Sequence, residues 1–263
     1  MADAVAEYAE HRDAPDEWAL GRFVVPIARL NELVGLVRQR EETWPVSLIS
    51  GCSDSAAIAE LMRDGSPLVV EAVECRAESP ADADQSAEIV RLGIEVFVEA
   101  AAGTNFAELA PRIGLAGAAG KIRTGGVTPG AFPDSRQVLA FLHACCDAGI
   151  QFKATAGLHH AVRGEYRLTY EDSAPVGVMF GFLNIAVAAA LLWSGAGDAV
   201  VLGALEESSA DAFEFSDAGI TWRTHQLPVT LLDEVRSEFF AGFGSCSFRE
   251  PMAEIGLEAV PRR

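Results

Sequence analysis

Short apolar runs alternate with helix-like stretches along most of the chain. Several of the runs are rich in valine, isoleucine or phenylalanine, which is typical of buried strands. They fall at residues 22–26, 46–50, 68–75, 95–99, 120–124, 151–155 and 199–205. Helical patterns occupy residues 28–41, 55–63, 82–92, 106–113 and 135–148, and helix-start signals stand at Asn105 and Asp134. Strand followed by helix, repeated along the chain, predicts a parallel sheet with helices packed outside it.

The spacing of these units predicts a (β/α)8 TIM-type barrel. Eight units of roughly 30 residues need about 250 residues, and the chain has 263. Residues 212–227 fit either an eighth strand or a hairpin turning at residues 217–219, so we expect the barrel to be distorted or incomplete at its last strand. Residues 1–20 are predicted to form a polar lead-in, frayed or folded as a short helix. Residues 21–263 then form a single barrel domain, with stretch 243–251 as a C-terminal loop over the barrel mouth.

Residues 176–193 form the longest apolar stretch and contain no charged side chain. Eighteen residues are marginal for crossing a bilayer core of about 30 Å, and the flanks lack the Lys and Arg anchors of a membrane span. A helix buried inside a large fold needs the same composition. We therefore predict a buried helix here and no membrane association.

Charge and cysteine content narrow the class of ligand. Half of the residues are apolar, and 38 Asp and Glu against 20 Lys and Arg give a net charge of −18. This balance argues against nucleic acid or an anionic membrane as partner and favours a small molecule. The five cysteines show no CxxC spacing, and the first twenty residues do not resemble a signal peptide, so we expect a cytoplasmic protein. No cofactor is predicted, and a homo-oligomer is compatible with this composition.

Lysine is nearly absent from the chain. Among the 20 basic residues only Lys121 and Lys153 are lysines, and the other 18 are arginines. Each lysine ends a predicted strand, where the active site of a barrel enzyme lies. Because strand side chains alternate, Lys121 shares a face with Arg123, and Lys153 with Thr155.

Two neighbouring amines suit carbonyl chemistry. A cation disfavours protonation of a second cation beside it, which leaves an amine able to add to a carbonyl and form a Schiff base. The alternative is structural, with each lysine paired to a glutamate of a neighbouring strand. The turn after Lys121 contains Thr124, Gly125 and Gly126, and the turn after Lys153 contains Gly157. Such turns can bind a phosphate through backbone N–H groups, although glycines also serve turns alone.

Two segments resemble a known family. Residues 120–126 (GKIRTGG) and 152–158 (FKATAGL) are similar to the paired lysine strands of class I aldolases of the deoxyribose-phosphate aldolase type. The resemblance covers about residues 115–160. It implies that Lys121 is the Schiff-base lysine, that Lys153 is the neighbour favouring its neutral form, and that Glu99 relays protons as the acid from an earlier strand. The chain departs from the family in having Arg123 where a small residue stands, Glu99 for an aspartate, and no second glycine after Gly157.

Further polar residues complete the predicted site. His159 is expected to act as general acid and base, alongside Lys121, Lys153 and Glu99. The residues expected to bind a small carbonyl substrate, with or without phosphate, are Arg123, Thr124, Gly125, Gly126, Thr155, Gly157, His160, Glu71, Glu206, Ser245 and Ser247.

Three alternatives to this assignment stay open. The first is a metal-assisted hydrolase or lyase that uses His159 or His160 with strand-end glutamates such as Glu71, Glu74 or Glu99. The second is a barrel that binds an anionic metabolite without catalysis. The third concerns Cys246, which could be a nucleophile but is expected to be buried, because no activating base lies near it in sequence.

Overall fold

The structure of the protein is a computed structural model that describes residues 1–63, 65–169, 171 and 173–256. The described residues group into two compact units, Met1–Ala119 and Gly120–Gly256. Each unit combines helices with parallel strands, which confirms the predicted α/β class. The closed eight-stranded barrel and the single domain over residues 21–263 stay predictions.

The first unit contains a parallel arrangement of strands in chain order. Its strands are β1 (Phe23–Pro26), β2 (Trp44–Gly51), β3 (Leu68–Ala77) and β4 (Glu95–Ala100), and neighbours in this order pair in parallel. Its helices are α1 (Ala2–Arg12), α2 (Leu30–Arg38), α3 (Ser55–Arg63), α4 (Pro80–Val90) and α5 (Phe106–Leu115).

The predicted lead-in folds as a short helix rather than a frayed end. The ring of Tyr8 on α1 lies 4.8 Å from that of the fully buried Trp44 and 5.2 Å from that of Phe23. Burying such aromatic surface stabilises the helix against the first two strands. The N-cap of α5 is also confirmed, since the side-chain oxygen of Asn105 accepts a hydrogen bond from the N–H of Ala107 at 3.1 Å.

The second unit combines parallel strands with two small antiparallel sheets. Strands β5 (Ala119–Arg123), β6 (Phe152–Thr155) and β12 (Phe240–Gly244) pair in parallel, in the order β5-β6-β12, and the unit boundary falls inside β5. The antiparallel strands are β7 (Gly164–Arg167) with β8 (Val176–Met179), and β9 (Phe213–Ser216), β10 (Gly219–Trp222) and β11 (His225–Pro228). The helices are α6 (Ser135–Ala148), α7 (Phe182–Trp193), α8 (Asp198–Glu206), α9 (Val229–Glu238) and α10 (Arg249–Glu254).

An aromatic cluster holds β6 against its helices. Phe152 is fully buried, and its ring centroid lies 5.6 Å from that of Phe141, 5.0 Å from that of Phe239 and 5.0 Å from that of Phe240. Because strand side chains alternate, burying Phe152 on this face directs the next residue, Lys153, to the other. The position of the lysine is thus fixed by the packing of its neighbour.

The uncharged stretch at residues 176–193 divides between β8 and α7. The helix is buried along nearly its whole length, from Phe182 to Leu192, which confirms the predicted buried helix. Among the residues that the structure describes, no helix combines the length and hydrophobicity that crossing a bilayer requires.

Two sequence-based assignments were wrong. Residues 199–205, predicted as a strand, belong to α8, because burial falls on Val201, Ala204 and Leu205, which are spaced as one face of a helix. The predicted C-terminal loop begins inside β12 and ends inside α10, so only residues 245–248 connect these elements. For residues 212–227 the hairpin alternative is confirmed, since β9 and β10 pair in antiparallel fashion around residues 217–218.

A buried carboxylate, that of Glu207, follows the end of α8. Glu207 has a 3% exposed side chain and accepts hydrogen bonds from the N–H groups of Ser208 and Ser209, both at 3.0 Å, and from the Arg223 guanidinium at 2.6 Å. Burial raises the pKa of Glu207, but the hydrogen bonds from Ser209, Arg223 and Trp222 outweigh it, so the pKa is lowered overall.

We therefore expect Glu207→Gln to destabilise the protein in a pH-dependent way. A depressed folded-state pKa gives stability that is fully present above the unfolded value, near 4.5, and lost as pH falls through the folded value. Urea unfolding should show a loss of about 2 kcal/mol at pH 7 that shrinks below pH 4.5. A difference between wild type and variant that stays constant across this range would contradict the assignment.

Candidate functional site

The two lysines lie side by side on neighbouring strands. Lys121 on β5 and Lys153 on β6 are register partners, and two residues further Arg123 is opposite Thr155. Alternation along each strand places all four side chains on one face of the sheet, with about 4.8 Å between the strands. Lys121 is 7% exposed, Lys153 and Thr155 are half-buried, and Arg123 is exposed. Solvent exposure along this face therefore increases from the buried Lys121 to the exposed Arg123.

Strand β12 completes this face on the other side of β6. Gly244 pairs with Thr155, and a side chain added at Gly244 would lie 3.4 Å from Thr155 and 4.0 Å from the Cε atom of Lys153. The glycine thus leaves space beside the Lys153 stem. The alternation of phenylalanine with small residues from Phe240 to Gly244 was the available signal for this strand, but its two glycines favoured a loop.

The turns that follow β5 and β6 are packed against each other. The Thr124 hydroxyl donates a hydrogen bond to the carbonyl of Ala156 at 2.7 Å. A Cβ atom on Gly125 would lie 2.6 Å from the Phe132 ring and 3.1 Å from the Cα atom of Gly157, whose φ is +74°. Gly126 has a comparably close neighbour, since its Cβ would come within 2.7 Å of Ala131. Close packing and backbone conformation account for these glycines, and their predicted binding of a substrate phosphate stays a prediction.

His159 lies where the segments after β6 and β12 meet. Its Nδ1 atom is 3.0 Å from the Ser245 hydroxyl and 3.3 Å from a carboxylate oxygen of Glu250, and its Nε2 atom is 3.5 Å from Cys246 Sγ. Hydrogen bonding to Cys246 raises the pKa of His159, burial opposes this rise, the carboxylate of Glu250 supports it, and the neighbouring His160 opposes it. The net effect raises the pKa, so the protonated form of the ring is favoured.

Cys246 corrects the sequence-based expectation of a buried thiol. The structure exposes it and gives it an imidazole neighbour 87 residues away in sequence, which local sequence inspection does not detect. Ser247 forms hydrogen bonds within its own segment, because its N–H donates to the Ser245 hydroxyl and its hydroxyl accepts from the N–H of Glu250, both at 3.2 Å. The predicted binding of substrate by Ser245 and Ser247 stays a prediction.

His160 has different partners from His159. Its Nδ1 atom is 2.6 Å from a carboxylate oxygen of Glu254, and its ring stacks on that of Tyr166 with centroids 3.4 Å apart. The contact with Glu254 holds the segment after β6 to α10, and the contact with Tyr166 holds it to β7. Within residues 1–63, 65–169, 171 and 173–256, no group of three or more His, Cys, Asp or Glu side chains is arranged to hold a metal ion.

The predicted glutamates have separate environments. In the first unit Glu99 lies near the end of β4 with a 9% exposed side chain and accepts a hydrogen bond from Arg76 at 2.9 Å. Glu71 lies within β3 rather than at its end, paired with Arg22 at 2.8 Å. In the second unit Glu206 ends a helix instead of a strand and lines a cavity of about 420 Å³.

The cavity beside Glu206 has its own polar lining, including Arg136, Arg163 and the N-cap residue Asp134 of α6. The lysines and His159 are absent from its described lining, so Glu206 contributes to a different part of the second unit. The predicted substrate-binding role of Glu206 stays a prediction.

Comparison with known proteins adds little to this geometry. No protein-family model and no curated protein matches the chain. Among solved structures, the X-ray crystal structure of the YdjI aldolase from Escherichia coli K12 aligns over 87% of this chain and 94% of that chain, with 9% sequence identity and a TM-score of 0.28. A likeness of this size carries no argument about function, which rests on the residues described above.

Proposed function

We propose that the protein is an aldolase-like lyase on a (β/α)-barrel scaffold that forms a Schiff base with a small carbonyl compound. The observation that carries the proposal is the register pairing of the two lysines of the chain on neighbouring strands. Clusters of buried and half-buried ionisable side chains concentrate at functional sites. Lys121, the more buried of the two, is the proposed nucleophile.

The chemistry follows from the amine. Its nitrogen adds to the carbonyl carbon, the resulting carbinolamine loses water, and an iminium ion remains. When the proton of a hydroxyl on the β-carbon is removed, the bond between the α- and β-carbons breaks and the β-carbon leaves as a carbonyl compound. The electron pair of the broken bond moves into the iminium, which accepts it more readily than the original carbonyl, and gives an enamine. Protonation of the enamine and hydrolysis then release the product and restore the lysine.

Other residues of the second unit have supporting roles in this proposal. Arg123 and Thr155, on the same face as the lysines, would bind an anionic or hydroxyl group of the substrate. His159, held by Ser245 and Glu250, would transfer the protons of carbinolamine formation and breakdown. The proton-relay role of Glu99, a residue of the first unit paired with Arg76, stays an expectation from the family resemblance.

The test is reductive trapping with site mapping. The full chain is incubated with a panel of aldehydes and ketones and with borohydride, and the adduct is located by peptide mass spectrometry. The α-amino group is an amine outside the lysine pair. Its modification therefore serves as an internal reference for unselective reductive alkylation. We expect a stable adduct on Lys121 in large excess over the reference, and an adduct on neither lysine across the panel would overturn the proposal.

A non-catalytic function is the second candidate. Lys121, Lys153 and Arg123 bring three cationic side chains to one face of the sheet, which also suits an anionic metabolite. Under this alternative the charge of each lysine matters and its nucleophilicity does not. Arginine substitutions therefore separate the two candidates.

A further inference from the structure

A thiol, an imidazole and a carboxylate come together beyond the ends of β6 and β12. Cys246 Sγ lies 3.5 Å from His159 Nε2 and 3.7 Å from His159 Nδ1, and Glu250 lies 3.3 Å from His159 Nδ1. The thiol is thus slightly nearer to Nε2, while Nδ1 has the carboxylate of Glu250 and, at 3.0 Å, the Ser245 hydroxyl beside it. Neither lysine belongs to this arrangement, although the proposed lyase function also uses His159.

The fold itself produces this arrangement. Because β6 and β12 are parallel and Gly244 pairs with Thr155, the residues that follow both strands emerge at the same edge of the sheet. Cys246 comes two residues after β12 and His159 four residues after β6. The hydrogen bond from the N–H of Glu250 to the Ser247 hydroxyl, 3.2 Å long, fixes the start of the turn that carries the carboxylate.

The charges around His159 favour transfer of the thiol proton to the ring. The hydrogen bond with Cys246 and the charge of Glu250 raise the pKa of His159, whereas burial and His160 lower it. Glu254 is paired with His160 and so partly offsets that opposing charge. A thiolate beside an imidazolium is the form of cysteine that attacks electrophiles near neutral pH.

The remaining cysteines provide an internal contrast. Cys52, Cys75 and Cys145 are buried, and Cys146 on α6 is half-buried. Burial, with a smaller contribution from Asp147, raises the pKa of Cys146 and so disfavours its thiolate. Exposure together with an imidazole neighbour is found at Cys246 among the cysteines that the structure describes.

We propose that Cys246 is a nucleophilic thiol, activated by His159 and Glu250, which forms covalent adducts with α,β-unsaturated carbonyl compounds. The thiol proton moves from Sγ to His159 Nε2. The sulfur then bonds to the β-carbon, the electron pair of the carbon–carbon double bond shifts to give an enolate, and His159 returns the proton to the α-carbon. The polarisable thiolate suits this soft carbon electrophile, and the adjacent imidazolium supplies the acid that the enolate needs. No oxidant or leaving group takes part.

The experiment uses acrylamide, a conjugated amide that forms no Schiff base with lysine. The full chain is alkylated between pH 5 and pH 9, and the rate at each cysteine is followed by peptide mass spectrometry. At pH 6 we expect Cys246 to react about tenfold or more faster than Cys146, because an ordinary thiol has a pKa of about 8.5 and is almost wholly protonated there. Equal alkylation rates at the two cysteines would overturn the proposal. A Cys246 alkylation rate that increases with pH only in proportion to the hydroxide concentration would overturn it as well.

Variants separate activation from simple exposure. His159→Gln should lower the alkylation rate of Cys246 at pH 6 about tenfold and shift its pH profile towards that of an ordinary thiol. Glu250→Gln should also lower this rate, but by a smaller factor. His143→Gln is the matched control, because it makes the same change at a histidine of α6 that pairs with Asp198. The Cys146 rate should be unchanged in His159→Gln and Glu250→Gln, which reports an intact fold. His143 lies three residues before Cys146 on α6, so the His143→Gln variant is compared with wild type at Cys246 alone. An unchanged Cys246 rate and pH profile in His159→Gln would refute the activation.

Discussion

Replacing Asn184 with alanine should lower the free energy of unfolding by about 4 kcal/mol. This side chain is fully buried in the first turn of α7. Its oxygen accepts hydrogen bonds from the N–H groups of Arg163 at 2.7 Å and Gly181 at 3.2 Å, and its nitrogen donates to the carbonyls of Ala204 at 2.7 Å and Glu207 at 2.8 Å. Alanine removes the side-chain partner of four backbone groups, of which the N–H of Arg163 is part-buried and the carbonyl of Ala204 keeps a 3.4 Å hydrogen bond from the N–H of Glu207. A buried group left without a partner costs about 1–3 kcal/mol, so the sum is expected to fall well short of four full penalties.

Urea unfolding of the wild type and three variants checks this value. Asn105→Ala is the matched control, since it removes the same amide from an exposed N-cap and should cost about 1 kcal/mol. Asn184→Asp keeps an acceptor for two N–H groups but turns a second oxygen towards two carbonyls, so it should destabilise at least as much as alanine. A loss for Asn184→Ala no larger than for Asn105→Ala would contradict the role given to this network.

Asn184 also connects stability to the candidate site. The N–H groups of Phe182 and Leu183 donate to the carbonyls of His160 and Ala161 at 3.0 and 3.1 Å, so the start of α7 holds the segment that carries His159. The sequence contained a signal for this residue, because Asn184 is a lone amide in a long apolar run. Its four partners lie up to 23 residues away and could not be assigned without the fold.

Elements with strong local signals were predictable from the sequence. Helix α6 begins and ends where predicted, because the side chains of Asp134 and Gln137 form a capping box at its start and Gly149 takes a left-handed conformation after its end. The strand prediction for residues 199–205 was wrong because so short an apolar run shows neither the period of a strand nor that of a helix. Only packing shows which face of the segment is buried. Strand β12 was missed for a different reason. Its glycines are tolerated in a strand because β6 lies beside it and pairs with its backbone.

One part of the candidate site was predictable from the sequence and another part was not. The lysines were found because two such residues in an arginine-rich chain stand out, and each ends a strand whose pattern is clear. The contacts of His159 with Cys246 and Glu250 span 87 and 91 residues and depend on β12, the strand that sequence analysis missed. Long-range side-chain clusters are predictable only when every element that brings them together has been recognised.

Lys121→Arg should abolish the borohydride-trapped adduct, lowering its yield at least about a hundredfold. Arginine keeps the positive charge, but its guanidinium stays protonated and does not add to a carbonyl. Lys153→Arg should leave the adduct on Lys121 and slow its formation by about tenfold, because the neighbouring charge remains while the shape and hydrogen bonding of the amine change. The measurement is adduct yield against time, mapped by mass spectrometry, with the carbonyl compound that wild type traps best.

The two variants serve as controls for each other, since both make the same chemical change at paired positions of β5 and β6. If the protein binds an anionic metabolite without catalysis, both variants should keep most of the affinity and wild type should form no adduct. An adduct that forms on Lys153 at an undiminished rate in Lys121→Arg would assign the nucleophile to the half-buried lysine instead. Adduct formation that is insensitive to both substitutions would mean that the trapped amine lies outside this pair, and the proposed lyase chemistry would then lose its basis.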